Sequence, residues 1–196
     1  MFTVQQVADK LSTSNLSTLP APTKNKGYRG TVLQELLEIP NSKSLKDCID
    51  GDIKSFTLGQ PVAITMLKHC LTQIIEESVE FEASKVYEKL ENTLFVGFDK
   101  SNQFINAKVI NKASYPELYD KFAEDYNFIS AQVKYHYFNQ KTLHTINGPD
   151  KFIQIRTKGS KYRNGNYSRL CYNGFELKDK AMAFYFLGSF ASFIIK

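Results

Sequence analysis

The amphipathic run SYPELYDKFAEDYNFISAQVKYHYF, residues 114–138, constrains the fold more than any other part of the chain. Leu118, Tyr119, Phe122, Tyr126, Ile129 and Val133 recur at three- and four-residue spacing, which predicts one long helix with a single apolar stripe. A stripe of that length needs a layer to lie on. The surrounding segments supply it: DIKSFTL and VAITMLKHC read as strands, NTLFVGFDK and FINAKVINKA as a strand pair about a turn at Asp99 to Asn102, and KFIQIRTK as a further strand. SKVYEKLEN reads as a helix end or turn, and AMAFYFLGSFASFIIK as strand, turn and helix, with Phe184, Phe186, Phe190 and Phe193 in the core. The fold class expected is α/β, a mixed sheet flanked by helices.

Upstream, MFTVQQVADKLSTSNLS reads as a short amphipathic helix without the continuous apolar run of a signal peptide or membrane span. A proline- and glycine-bearing loop at 17–30 then delivers the chain to a helix beginning near Thr31, with Val32, Leu33, Leu36, Leu37 and Ile39 at helical spacing and Pro40 as its stop. The 196 residues, 42% of them hydrophobic, suit one domain with a single core. Residues 1–19 form its N-terminal helix. Cys48, Cys70 and Cys171 are an odd number at wide spacing with no zinc pattern, which points to reduced thiols and a cytoplasmic protein with no membrane partner.

The net charge of +5 is concentrated. Between Lys151 and Lys180 lie Lys151, Arg156, Lys158, Lys161, Arg163, Arg169, Lys178 and Lys180 against Glu176 and Asp179, interleaved with Tyr162, Tyr167, Tyr172 and Phe175. Charge for phosphates and rings for sugars or bases together suit a nucleic-acid partner; the plainer alternative is a solvated basic loop. By contrast Glu76, Glu77, Glu80 and Glu82 read as a solvated acidic helix face. His69, His136 and His144 show no metal or triad spacing.

The chemistry concentrates in LKDCIDGDIKSF, residues 45–56. Asp47, Asp50, Asp52 and Lys54 crowd together where carboxylates should repel, and Gly51 supplies a tight turn into a strand. Alternation along that strand puts Asp52 and Lys54 on one face. Asp50 reads as a turn residue rather than a third ligand. A carboxylate followed by Asp, any residue and Lys is the pattern of the PD-(D/E)xK nucleases: hard oxygens for Mg²⁺, and a lysine to position water and offset charge on phosphorus.

Five blocks in the same order resemble the MutH family of mismatch-repair nickases and the type II restriction enzymes that share its fold. They are KNKGYRGTVLQELL at Lys24 to Leu37, DCIDGDIK, SKVYEKLENTLFVGF at Ser84 to Phe98, FIQIRTKG at Phe152 to Gly159, and AFYFLGSF at Ala183 to Phe190, so the likeness runs from about Pro20 to the end. The resemblance implies a restriction-endonuclease-like fold with a DNA cleft between two lobes, and a Mg²⁺-dependent endonuclease on double-stranded DNA, with Mn²⁺ able to substitute. It makes Asp47 and Asp52 the metal ligands and Lys54 and Lys89 the active-site lysines. Lys26 and Gly27 would belong to a loop approaching DNA, Arg156 and Tyr185 would read bases in the major groove, and Thr157 to Met182, with Lys158, Lys161 and Arg163, would form a DNA-facing loop.

One position departs from the pattern. The family's helix glutamate falls on Gln34, with Glu35 one residue later, and neighbours on a helix point about 100° apart, so only one can face the cluster. The reading these features favour is a type II restriction endonuclease whose genetic partner is a DNA methyltransferase. The alternatives are a mismatch-repair nickase stimulated by a MutL-type protein, and a DNA-binding module with weakened catalysis.

Overall fold

The computed structural model describes residues 2–14, 28–39, 46–158 and 166–196; Lys26, Gly27, Lys161 and Arg163 lie outside them. In chain order the elements are α1 (Val4–Thr13), α2 (Tyr28–Leu36), β1 (Asp52–Thr57), β2 (Val62–Met66), α3 (Lys85–Leu90), β3 (Asn92–Phe98), β4 (Phe104–Asn111), α4 (Pro116–Phe138), β5 (Ile146–Asn147), β6 (Ile153–Thr157), β7 (Arg169–Tyr172), β8 (Phe175–Lys180), β9 (Met182–Phe186) and α5 (Gly188–Ile194). The class is α/β, with several sheets flanked by helices. No helix among the described residues is long and apolar enough to cross a membrane.

The chain divides into two compact units. The first comprises Met1–Val62, Lys89–Pro116 and Gly188–Lys196. Its sheet runs β1-β3-β4, with β1 parallel to β3 and β4 antiparallel to β3. A capping box starts α1: the Thr3 hydroxyl accepts the Gln6 amide at 3.2 Å and the Gln6 side chain accepts the Thr3 amide at 2.9 Å. Val4, Val7 and Leu11 then recur on one face and bury against Val32, Leu33, Leu37, Leu94, Val96 and Phe98. The turn between β3 and β4 falls at 99–102 as expected, with Asp99 Oδ1 accepting the Ser101 and Gln103 amides at 2.7 and 2.9 Å.

The second unit comprises Ala63–Glu88 and Glu117–Leu187. Its main sheet runs β2-β9-β6-β5, and β7 and β8 form a separate hairpin. The stripe of α4 is the expected one: Tyr119, Phe122, Tyr126, Ile129 and Val133 are buried. Tyr126 stacks on Phe184 and Phe122 packs on Phe186, so the helix lies on β9 through aromatic rings.

Several sequence expectations are corrected. Helix α2 begins at Tyr28, three residues before Thr31, and closes after Leu36: Glu38 takes a positive φ of 56° while the Ile39 amide reaches back to the Gln34 carbonyl at 2.8 Å, a Schellman-type closure, and Pro40, the expected stop, lies outside the described residues. Only Val62–Met66 of VAITMLKHC is strand, since a 3₁₀ turn follows at Leu67–His69. The stretch 157–182 is no single loop, because 169–180 pairs as the hairpin β7–β8 about Asn173 and Gly174, both at positive φ, the turn that Asn-Gly favours. Glu76 is not merely solvated: it accepts the Tyr172 hydroxyl and the Asn173 side-chain amide. Phe193 is 74% exposed rather than core, because α5 buries Phe190, Ala191 and Ile194 and leaves Phe193 on its opposite side.

Candidate active site

The bend that carries Asp47 is pinned from three directions. The Cys48 amide donates to the Gly51 carbonyl at 2.9 Å, closing the turn, and the Ile49 amide donates to the Phe2 carbonyl at 3.0 Å. Asp50 accepts the Val4 amide at the start of α1 (2.7 Å) on one oxygen and the Asn92 side chain (3.0 Å) on the other. Asp50 is therefore a structural tie, and satisfies one of the amides that a helix start leaves without a partner. Gly51 is required by close approach, since a Cβ there would lie 1.8 Å from the Asn92 carbonyl oxygen.

On this support the two carboxylates brace one another through the backbone. The Asp47 amide donates to Asp52 Oδ1 at 3.1 Å, and the Ile53 amide donates to Asp47 Oδ2 at 3.2 Å. Asp52 opens β1 with its side chain 1% exposed. Its Oδ2 accepts the Lys54 ammonium at 2.5 Å and its Oδ1 accepts the Lys89 ammonium at 3.3 Å, which also forms an ion pair with Oδ2 at 3.2 Å. Lys54 reaches Asp52 because residues two apart on a strand share a face, and Lys89 arrives from the last turn of α3. Gln34 Nε2 donates to Asp47 Oδ1 at 3.3 Å.

The electrostatics of the two acids differ. Burial pushes the Asp47 carboxyl up, and the charge of Asp52 adds to that. Burial acts the same way on Asp52, but the Lys54 and Lys89 ammonium groups and the Asp47 amide outweigh it and hold that carboxyl below its ordinary value. Cys48, between them in sequence, has its thiol pushed up to about 12 by burial and the neighbouring aspartates, so it is a packing residue and not a nucleophile.

Gln34, Asp47, Asp52, Lys54 and Lys89 thus converge, and Glu35 does not: it is exposed, one position round the helix from Gln34. Arg156 and Tyr185 meet in the second unit, the guanidinium 5.7 Å from the ring centre. They share the face of β6 and β9 opposite the buried Ile153, Ile155, Phe184 and Phe186. Burial raises the Tyr185 hydroxyl above its ordinary value, with Arg156 opposing. Lys158 is exposed at the end of β6, its amide bonded to the Ala181 carbonyl at 2.9 Å.

Sequence reading missed the clamp at Arg29. Its guanidinium donates to the Thr57 hydroxyl at 2.8 Å and to the Asn102 side chain, and lies 5.1 Å from the centre of the Phe98 ring. It fixes the first turn of α2, and hence Gln34 further along, against the end of β1. Its partners lie 28 and 73 positions away, so no local pattern distinguishes it from the other basic residues of its segment.

Two carboxylates with an amide side chain beside them are hard oxygen donors suited to Mg²⁺, which keeps several waters and binds through one or two carboxylates plus substrate phosphates. No group of three or more His, Cys, Asp and Glu is gathered for a metal among the described residues. The chain matches no family model and no curated protein.

Proposed function

We propose that this chain is a Mg²⁺-dependent, site-specific endonuclease that hydrolyses phosphodiester bonds of double-stranded DNA. In this reading it is a type II restriction enzyme of the MutH-like group with a restriction-endonuclease-like fold. The observation that carries the proposal is the convergence of Gln34, Asp47, Asp52, Lys54 and Lys89, drawn from three separate stretches of sequence, on one cluster around the buried Asp52.

Asp47 and Asp52 would hold the cation, with Mn²⁺ an acceptable substitute. When bound, that cation neutralises phosphate charge and makes an attacking water more acidic. Lys54 and Lys89 bring two ammonium groups against Asp52 with their side chains only 13% and 12% exposed. In such a setting fixed positive charge is worth more than in water, and it offsets the negative charge that builds as the phosphorus becomes pentacovalent. Arg156, with its fork of donors, suits guanine O6 and N7, and Tyr185 stacked against it would fix its direction. Lys158 suits a phosphate contact. A methyltransferase protecting the same DNA target would be the genetic partner of such an enzyme.

Gln34 favours a second reading. Its amide contributes no charge to the cation site, as in a DNA-binding module with weakened catalysis. Digestion of unmethylated plasmid and phage DNA with Mg²⁺, beside Asp52→Ala and Lys54→Ala controls, decides between them. Discrete double-strand fragments lost in both variants support the restriction enzyme. Nicked circles indicate a repair-type nickase partnered by a MutL-type ATPase, and DNA left intact in Mg²⁺ and Mn²⁺ indicates the binding module.

A further inference from the structure

Asp52 is already engaged on both oxygens by donors of the chain itself. An ionised carboxylate offers about four acceptor positions; Asp52 uses one on Oδ1 for the Asp47 amide, one on Oδ1 for Lys89 and one on Oδ2 for Lys54, and the Lys89 ammonium also lies 3.2 Å from Oδ2 as an ion pair. With ammonium groups held against both oxygens, a cation that ligates Asp52 must compete with a donor of the chain. The Asp47 amide is fixed by the bend, and Lys54 sits on the same strand face at 2.5 Å. Lys89 is the replaceable donor. Its contacts are the longer ones, at 3.2 and 3.3 Å, and its ammonium ends a flexible four-carbon stem from another element.

We propose, resting on the nuclease reading, that Lys89 is an internal counter-ion: it occupies Asp52 in competition with the divalent cation and leaves it for a phosphate of the bound DNA strand. The phosphate offers the ammonium a charged partner equivalent to the one it gives up. DNA thereby uncovers a cation ligand, and cation and DNA bind cooperatively. Linkage makes the effect reciprocal, so the cation tightens DNA binding by the same factor.

The test is a titration of Mn²⁺ into the full chain, following the electron-spin signal of the free ion, for wild type, Lys89→Met, Lys89→Gln, Lys89→Arg and Asp52→Asn, each checked for its melting transition. Both neutral variants should bind Mn²⁺ more tightly than wild type, by about 5- to 150-fold, the usual range of a coupling between two ligands. Lys89→Arg, which keeps the charge, should stay near wild type, and Asp52→Asn should lose the site. A mixed-sequence duplex, read by fluorescence anisotropy, should bind wild type more tightly with Mn²⁺ than without, a dependence that Lys89→Met largely loses. Wild type binding Mn²⁺ as tightly as both neutral variants overturns the counter-ion and leaves the nuclease reading standing. Absence of Mn²⁺ binding in every variant, with duplex or without, overturns both.

Discussion

Asp52 in the first unit and Asp125 in the second are the most deeply buried aspartates among the described residues, and the two are satisfied in opposite ways. Asp125 on α4, 0% exposed, accepts the backbone amides of Asp150, Phe152 and Ile153 at 2.8, 2.8 and 2.7 Å. Asp52, 1% exposed, accepts one backbone amide and two lysine ammonium groups. Amides fixed in the backbone cannot leave without unfolding their segment, whereas an ammonium on a long side chain can exchange for another cation. The contrast separates a scaffold carboxylate, which anchors the start of β6, from one able to do chemistry. A buried carboxylate is a candidate ligand when its partners are replaceable.

The contrast is drawn most sharply at Lys54. Lys54→Met should reduce the single-turnover cleavage rate by about 10²- to 10⁴-fold, the usual worth of a positioned group of this kind, while the melting transition is retained. For Asp125→Ala the consequences reverse. One buried and two partly buried amides lose their acceptor at about 1–3 kcal/mol each, so urea unfolding should show a loss of about 3 kcal/mol or more, while the folded fraction cleaves at the wild-type rate.

Acid separates the two carboxylates by sign. The folded pKa of Asp52 is depressed, so its contribution to stability is present above the ordinary carboxylate value of about 3.9 and is lost as pH falls through the lower folded value. Burial raises Asp125 against the pull of its three amides, so its contribution declines as pH climbs from about 3.9 through the raised folded value. Stability measured against pH, as wild type minus Asp52→Asn and wild type minus Asp125→Asn, should therefore change in opposite directions on either side of about pH 3.9, at no more than about 1.4 kcal/mol per pH unit. Curves of the same sign would remove the distinction.

Smaller effects are expected at α2. Gln34→Glu places a carboxylate beside Asp47 and should tighten Mn²⁺ binding severalfold, whereas Glu35→Gln, at an exposed position, should leave both cation affinity and stability within about 0.5 kcal/mol. An effect at Glu35 as large as that at Gln34 would mean that the helix is rotated from the orientation described.

How much of this was legible in the sequence varied with distance along the chain. Period gave the long helix, because the stripe from Tyr119 to Val133 repeats through about four turns, and it put Asp52 and Lys54 on one face, because they are two residues apart. Pairs that close over long distances have no such local signature. Lys89 lies 37 positions from Asp52 and Gln34 lies 13 from Asp47, and only the resemblance of whole blocks suggested that they meet. Charge counting also hid structure: the basic residues after Lys151 drew the reading toward a loop, although Asn173-Gly174 carries the turn signal that folds 169–180 into a hairpin. Asp50 looked like a spare acid of the turn, and nothing near it in sequence announces that Val4 and Asn92 need its two oxygens.

The most direct test is single-turnover cleavage of unmethylated duplex DNA in Mg²⁺ by wild type, Asp52→Asn and Asp125→Asn, with each rate scaled to the fraction of protein folded. Wild type and folded Asp125→Asn should cleave at similar rates, and Asp52→Asn should show none above background. Cleavage by Asp52→Asn at the wild-type rate would contradict the role assigned to Asp52.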